Sequence, residues 1–281
     1  MVGVPCRTPD TRPDGPLTPG RTRFVVLGDY GTASVAEARV ASMVHDWQPD
    51  FIITAGDNNY PVGAAETIDV NIGQYFHDFI SPYRGRFGCG ARQNRFFPAL
   101  GNHDWYTAGA QPYLDYFTLP GNERYYDFVF GDVHLFAIDS DISEPDGVTA
   151  NSIQAAWLGQ TATASRAPWQ IAYMHHPPYS SGSHRSSAHM QWSYKEAGID
   201  LVFAGHDHDY ERLEVDGLPY IVNGLGGASL YALTERLPTS KLYFNETYGA
   251  VLVEATATTL TSKFIAIDGR TIDQLTLTAS P

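Results

Sequence analysis

Cysteine is scarce in this chain of 281 residues: there are two, Cys6 and Cys89, and neither stands in a CxxC pair. A thiolate metal site of the usual spacing is therefore excluded, and the two thiols are open either to one disulfide or to the free state. No apolar run approaches the ~20 residues that span a bilayer. The first twenty residues hold no continuous apolar stretch, so no intact secretory signal and no membrane partner are expected. Basic residues are also few. Lys and Arg number 18 against 31 Asp and Glu, a net charge of -13. Such a molecule is a poor general partner for nucleic acid. It can still take an anionic substrate, because bound metal ions reverse the field inside a site. Internal repeats and low-complexity segments are missing as well, and nothing signals an oligomeric state.

What is there is a chain 43% hydrophobic, enough for a substantial core without disulfide support. Pro5, Pro9, Pro13, Pro16 and Pro19 mark an extended arm over 1–20, leaving one domain over 21–281. Apolar runs predict strands at 24–27, 51–55, 96–100, 169–174 and 201–204, and 3.6-residue periodicity predicts helices at 34–47 and 152–164. A hairpin is expected over 125–130 and 133–138, turning at Gly131-Asp132. The tail over 218–277 reads mostly as strand around a long polar loop at 227–249. The class is α/β: two packed sheets with helices outside.

Five of the apolar runs lead directly into residue types that bind metals. These are Gly28-Asp29-Tyr30-Gly31, Gly56-Asp57-Asn58-Asn59-Tyr60, Gly101-Asn102-His103-Asp104, His175-His176-Pro177 and Gly205-His206-Asp207-His208. Sites in α/β folds gather at the carboxyl ends of strands, so one crevice would collect Asp29, Asp57, Tyr60, Asn102, His103, His175, His206 and His208. The glycines would let the chain turn sharply off each strand and approach a ligand closely. Singly, each block has a plain reading: a turn for Gly-Asp, a helix cap for Asn102. Together they point to metal chemistry, since six of the ten histidines (His103, His175, His176, His184, His206 and His208) fall in or just after these blocks. Carboxylate, imidazole, amide and phenol suit Fe, Mn, Zn or Mg, and the donors exceed what one ion can use. His45, His77, His134 and His189 have no such context and read as structural or surface residues.

In that order the five blocks resemble the metallophosphoesterase superfamily. Tyr60, three residues after Asp57, and the run from Gly205 to Arg212 resemble the purple acid phosphatases within it. With the first block already at Gly28, the chain resembles the small, mammalian-like tartrate-resistant type, without the extra N-terminal β domain of plant-type members. The resemblance implies a calcineurin-like fold, a four-layer αββα sandwich of two mixed sheets flanked by helices. It implies two metal ions: Fe(III) on Asp29, Tyr60 and His208, a divalent Fe, Zn or Mn on Asn102, His175 and His206, and Asp57 bridging them. The implied activity is that of an acid phosphatase, cleaving small phosphate monoesters by in-line attack of a water acidified between two ions. His103 would hold the phosphoryl oxygens, Asp104 would orient His103, and His184 would protonate the leaving alcohol. His176 is expected beside the site, and Glu211 and Arg212 as supports of the metal loop. A secreted or periplasmic location is implied by the family. The rival readings are a phosphodiesterase of the same superfamily with Mn or Zn in both sites, and a non-catalytic metal-binding protein on this fold.

Overall fold

β-Branched and aromatic runs form the strands. In the computed structural model, which describes residues 16–233 and 235–279, β1 (Thr22–Leu27), β2 (Phe51–Thr54) and β3 (Phe96–Pro98) come first. The hairpin β4 (Tyr126–Phe130) and β5 (Val133–Ala137) follows, then β6 (Trp169–Tyr173) and β7 (Leu201–Ala204). The tail adds β8 (Tyr210–Val215), β9 (Leu218–Asn223), β10 (Ser240–Phe244), β11 (Gly249–Ala255), β12 (Thr259–Ala266) and β13 (Thr271–Thr278). They make two mixed sheets, ordered β13-β12-β11-β1-β2-β3 and β10-β8-β9-β7-β6-β5-β4. β1, β2 and β3 are parallel in the first, and β5, β6, β7 and β9 in the second. Cys6 and most of the expected Pro-rich arm lie outside the described residues.

Period-two alternation buries both faces of the central strands. Ile171 and Tyr173 of β6, with Leu201 and Phe203 of β7, join the core shared with Phe24 and Phe51 of the first sheet. Ala172, Met174, Val202 and Ala204 turn the other way, onto Leu158 and Ala162 of the helix Ile153–Ala164. That helix starts where Ser152 Oγ accepts the Ala155 N–H, and Val35–Trp47 starts the same way on Ser34 and Glu37, each cap contributing about 1 kcal/mol.

Two expectations need correction. β8 precedes the expected tail, and β10 lies inside the expected loop over 227–249. β8 reverses into β9 through Asp216-Gly217, both with positive φ. β10 is an edge strand paired only with β8, so one solvated side hides it among polar residues. The helical stretch over 65–79, whose winding changes between α, π and 3-10, and the short helices Asn102–Trp105 and Gln111–Tyr116 carry no steady 3.6-residue period.

The parallel strands of both sheets end on one edge, and bonds cross the seam there. Asn223 Nδ2 donates to Val26 O at 3.1 Å, and Gly226 N donates to Gly28 O at 3.0 Å.

Candidate metal centre

The five strand ends converge at that seam. β1 delivers Asp29, β2 delivers Asp57 and Tyr60, and the turn after β3 delivers Asn102; these come from the first sheet. β6 and β7 deliver His175, His206 and His208 from the second. Asp29, Asp57 and His206 themselves take left-handed backbone, at φ 54°, 52° and 72°, a conformation costly for non-glycine residues. Of the glycines before the donors, Gly28, Gly101 and Gly205 do not make the turn; their role is close approach. A Cβ on Gly205 would sit 2.6 Å from both Ala55 O and Asp29 Oδ2.

Two groups of donors form. In one, Tyr60 Oη lies 2.8 Å from Asp57 Oδ2, 3.2 Å from Asp29 Oδ1 and 3.2 Å from His208 Nε2. Asp29, Asp57 and His208 offer ligand atoms all within 4.8 Å of one another. In the other, His175 Nε2 lies 2.9 Å from Asn102 Oδ1 and 3.1 Å from His206 Nδ1. Asp57 Oδ2 is also 3.4 Å from His175 Nε2, so a single carboxylate oxygen faces both groups. Asp57 Oδ1 is held apart from them by the His103 N–H at 2.9 Å.

This donor set fits a pair of cations. His175 Nδ1 lies 2.9 Å from Ala55 O and His208 Nδ1 2.6 Å from Ser229 O; donation there leaves each Nε2 as a lone pair. The His175 lone pair then confronts the Asn102 and Asp57 oxygens, acceptor against acceptor. Burial, then the charges of Asp29 and Asp104, raise Asp57 well above the carboxylate range. Burial and the charges of Asp29 and Asp57 push the Tyr60 phenol far upward. Burial and neighbouring histidines lower His175 and His206, keeping them neutral donors. Among the described residues no lysine or arginine lines the pocket of about 360 Å³ that opens onto these groups. A cation is the counter-charge that relieves each of these penalties.

His103 lies against the shared carboxylate, its Nε2 3.9 Å from Asp57 Oδ2. The expected pairing with Asp104 is replaced by another: His103 Nδ1 lies 2.6 Å from Pro61 O. The buried Asp104 carboxylate instead accepts from Gly101 N, Asn58 N and Asn58 Nδ2, at 2.9, 3.2 and 2.9 Å. It holds the β2 and β3 turns together, because the short helix after Gly101 aims it backward at its own N-terminus. His184 lines the pocket with its ring centred 4.1 Å from that of His206. His176 sits behind, its Nδ1 3.0 Å from Ser140 Oγ.

A family model described as calcineurin-like phosphoesterase matches residues 22–210. The chain belongs to the calcineurin-like phosphoesterases. It is 25% identical over 240 residues to purple acid phosphatase 17 of Arabidopsis thaliana, covering 74% of this chain and 69% of that one. It is 24% identical over 241 residues to human tartrate-resistant acid phosphatase type 5, covering 73% and 72%. Among solved structures, the purple acid phosphatase PPD1 of yellow lupin seeds superposes with a TM-score of 0.73 at 18% identity, over 92% of this chain and 54% of that one. GAP50 of Plasmodium, described as the anchor in the inner membrane complex, gives 0.72 at 20% identity, over 93% and 90%. At those identities the two structures show the shared fold of two mixed sheets with flanking helices.

Two carboxylates of the last block, Asp207 and the Glu211 expected near the metal loop, hold the loops around the site. Asp207 Oδ1 accepts the His184 N–H at 2.7 Å, and Asp207 Oδ2 accepts the Ser180 hydroxyl. Glu211 accepts from Ser181 N at 2.8 Å and Ser181 Oγ at 2.6 Å. These buried carboxylates, alternating along one segment, fasten the loop that carries His184 to the segment that carries His206 and His208. Arg212 instead reaches Asp273 of β13 at 2.6 Å, tying the two sheets together. Tyr106 and Tyr231 also line the pocket. Tyr106 stands four residues after Asn102, one helical turn on, and that spacing could have flagged it. Tyr231 lies in a loop without pattern.

Proposed function

We propose that this chain hydrolyses phosphate monoesters at a centre of two metal ions. The position of Tyr60 Oη carries the reading, within 3.2 Å of Asp29, Asp57 and His208 at once. A phenol among two carboxylates ionises only for a hard, highly charged cation. Asp29, Tyr60, His208 and Asp57 would hold Fe(III). Asn102, His175, His206 and Asp57 would hold a divalent Fe, Zn or Mn. When bound, the ions supply the charge that gathers phosphoryl oxygens and acidifies a water for in-line attack.

The chain's own groups position and move protons. The carbonyls of Ala55 and Ser229 orient His175 and His208 so that each turns its Nε2 inward. With Nδ1 on Pro61 O, His103 presents Nε2 to the pocket, and its protonated form donates to a phosphoryl oxygen. His184, beside His206, gives a proton to the leaving alkoxide as the phosphorus–oxygen bond breaks.

The test is a visible spectrum of the purified protein, metal analysis of the same sample, and release of phosphate from a simple monoester. A broad visible band with two ions per chain, iron among them, and monoester turnover is expected. Two Mn or Zn ions in a colourless protein that cleaves diesters would replace this reading with the phosphodiesterase one. Bound metals without turnover of any ester would leave a metal-binding protein.

A further inference from the structure

Two tyrosines at the pocket take no part in the chemistry above. They end a row of rings across its floor. Ring centres are 4.8 Å apart from Tyr106 to His103, 4.2 Å from His103 to Tyr60, 6.3 Å from Tyr60 to His208 and 4.0 Å from His208 to Tyr231. Tyr231 lies flat on His208, with 6° between the planes. Its backbone is fastened on both sides. The Tyr231 N–H donates to His208 O at 3.0 Å, and its carbonyl accepts from Asn245 Nδ2 at 2.7 Å and from the Tyr243 hydroxyl at 3.4 Å. Tyr106 is 60% exposed, and its hydroxyl accepts from Asn102 Nδ2 at 3.0 Å. Rings already held in place bind flat apolar groups at little further entropic cost. With no lysine or arginine lining this pocket among the described residues, a leaving group bearing more phosphates meets no side-chain counter-charge beyond the ions that take the scissile phosphate.

We propose that Tyr106 and Tyr231 determine the leaving group, selecting phosphate esters of flat, uncharged aromatic alcohols over esters whose alcohol carries further phosphates. The assignment rests on the phosphomonoesterase reading. An aryl phosphate is intrinsically labile, so matched alcohols are required. Benzyl phosphate, n-propyl phosphate and propane-1,3-diyl bisphosphate all release poor aliphatic leaving groups. In the metal-loaded protein, kcat/KM should fall in that order. Tyr106→Ala and Tyr231→Ala should each lower the benzyl-to-propyl ratio about tenfold, the size of one aromatic contact, and chiefly through KM. Tyr106→Lys should raise the bisphosphate relative to n-propyl phosphate. Tyr231→Leu keeps a cover on His208, so it should reproduce the altered ratio with both metals retained. Variants that retain metals and turnover with unchanged ratios would overturn the tyrosine assignment alone. A wild-type protein that releases phosphate from none of the three esters would overturn the phosphomonoesterase reading, and this inference with it.

Discussion

Histidine behaves in opposite ways in the two donor groups that meet at Asp57 Oδ2. Burial alone would lower His208, yet Asp29 and the carbonyl of Ser229 outweigh it, and His208 is raised. His175 and His206 are lowered by burial, and neighbouring histidines add to the effect. Burial is common to both groups, so the sign of the neighbouring charge decides the outcome. One group is anionic and suits an ion of high charge; the other is neutral and suits a divalent one. A single fold edge thereby offers two unlike groups of donors a few ångströms apart.

The strongest way to break this comparison is to remove what the groups share. Asp57→Asn should empty both sites and reduce turnover by more than the roughly 10–100-fold typical of losing an outer partner of a metal ligand. Metal analysis showing two retained ions would refute the sharing. His184 stands on the neutral side, against His206. His184→Ala should cost about a hundredfold on alkyl phosphates and far less on p-nitrophenyl phosphate, whose leaving group needs no proton. Equal losses on both esters would remove it as the acid. Tyr60→Phe probes the anionic side alone: the visible band should vanish and turnover drop, with the divalent ion retained. Loss of both ions together would mean that the two sites are not separable.

The last effect is on stability rather than turnover and concerns His176, behind the neutral group. Burial holds it at about 4 in the folded chain, against about 6.5 for an unperturbed histidine. On acidification the unfolded chain takes up this proton first. The stability that neutral His176 contributes is therefore full above about 6.5 and is lost as the pH falls toward 4, by up to roughly 3 kcal/mol. Urea midpoints of metal-free protein at pH 7 and pH 5 should differ less in His176→Asn. An unchanged difference would show that other groups carry the slope.

Both sheets and the donor cluster were legible in the chain. Apolar runs bounded by Gly, Asp and His mark where buried strands stop and polar chemistry starts, and that is a local property of side chains. β8 and β10 were not legible, since one overlaps the His206–Arg212 block and the other lies at a solvated edge. Adjacency in sequence points Asp104 at His103, whereas the helical turn after Gly101 sends its carboxylate to Asn58 and leaves His103 to Pro61. By itself, then, the sequence determined which donor residue types stand together and which strand end carries each, because residue type and hydrophobic period act over a few positions. Only the tertiary structure decided that one oxygen of Asp57 faces both groups, that Ala55 and Ser229 orient the histidines, and that Tyr231 covers His208. Those contacts join segments from separate strands and loops, and the packing of one sheet edge against the other sets them.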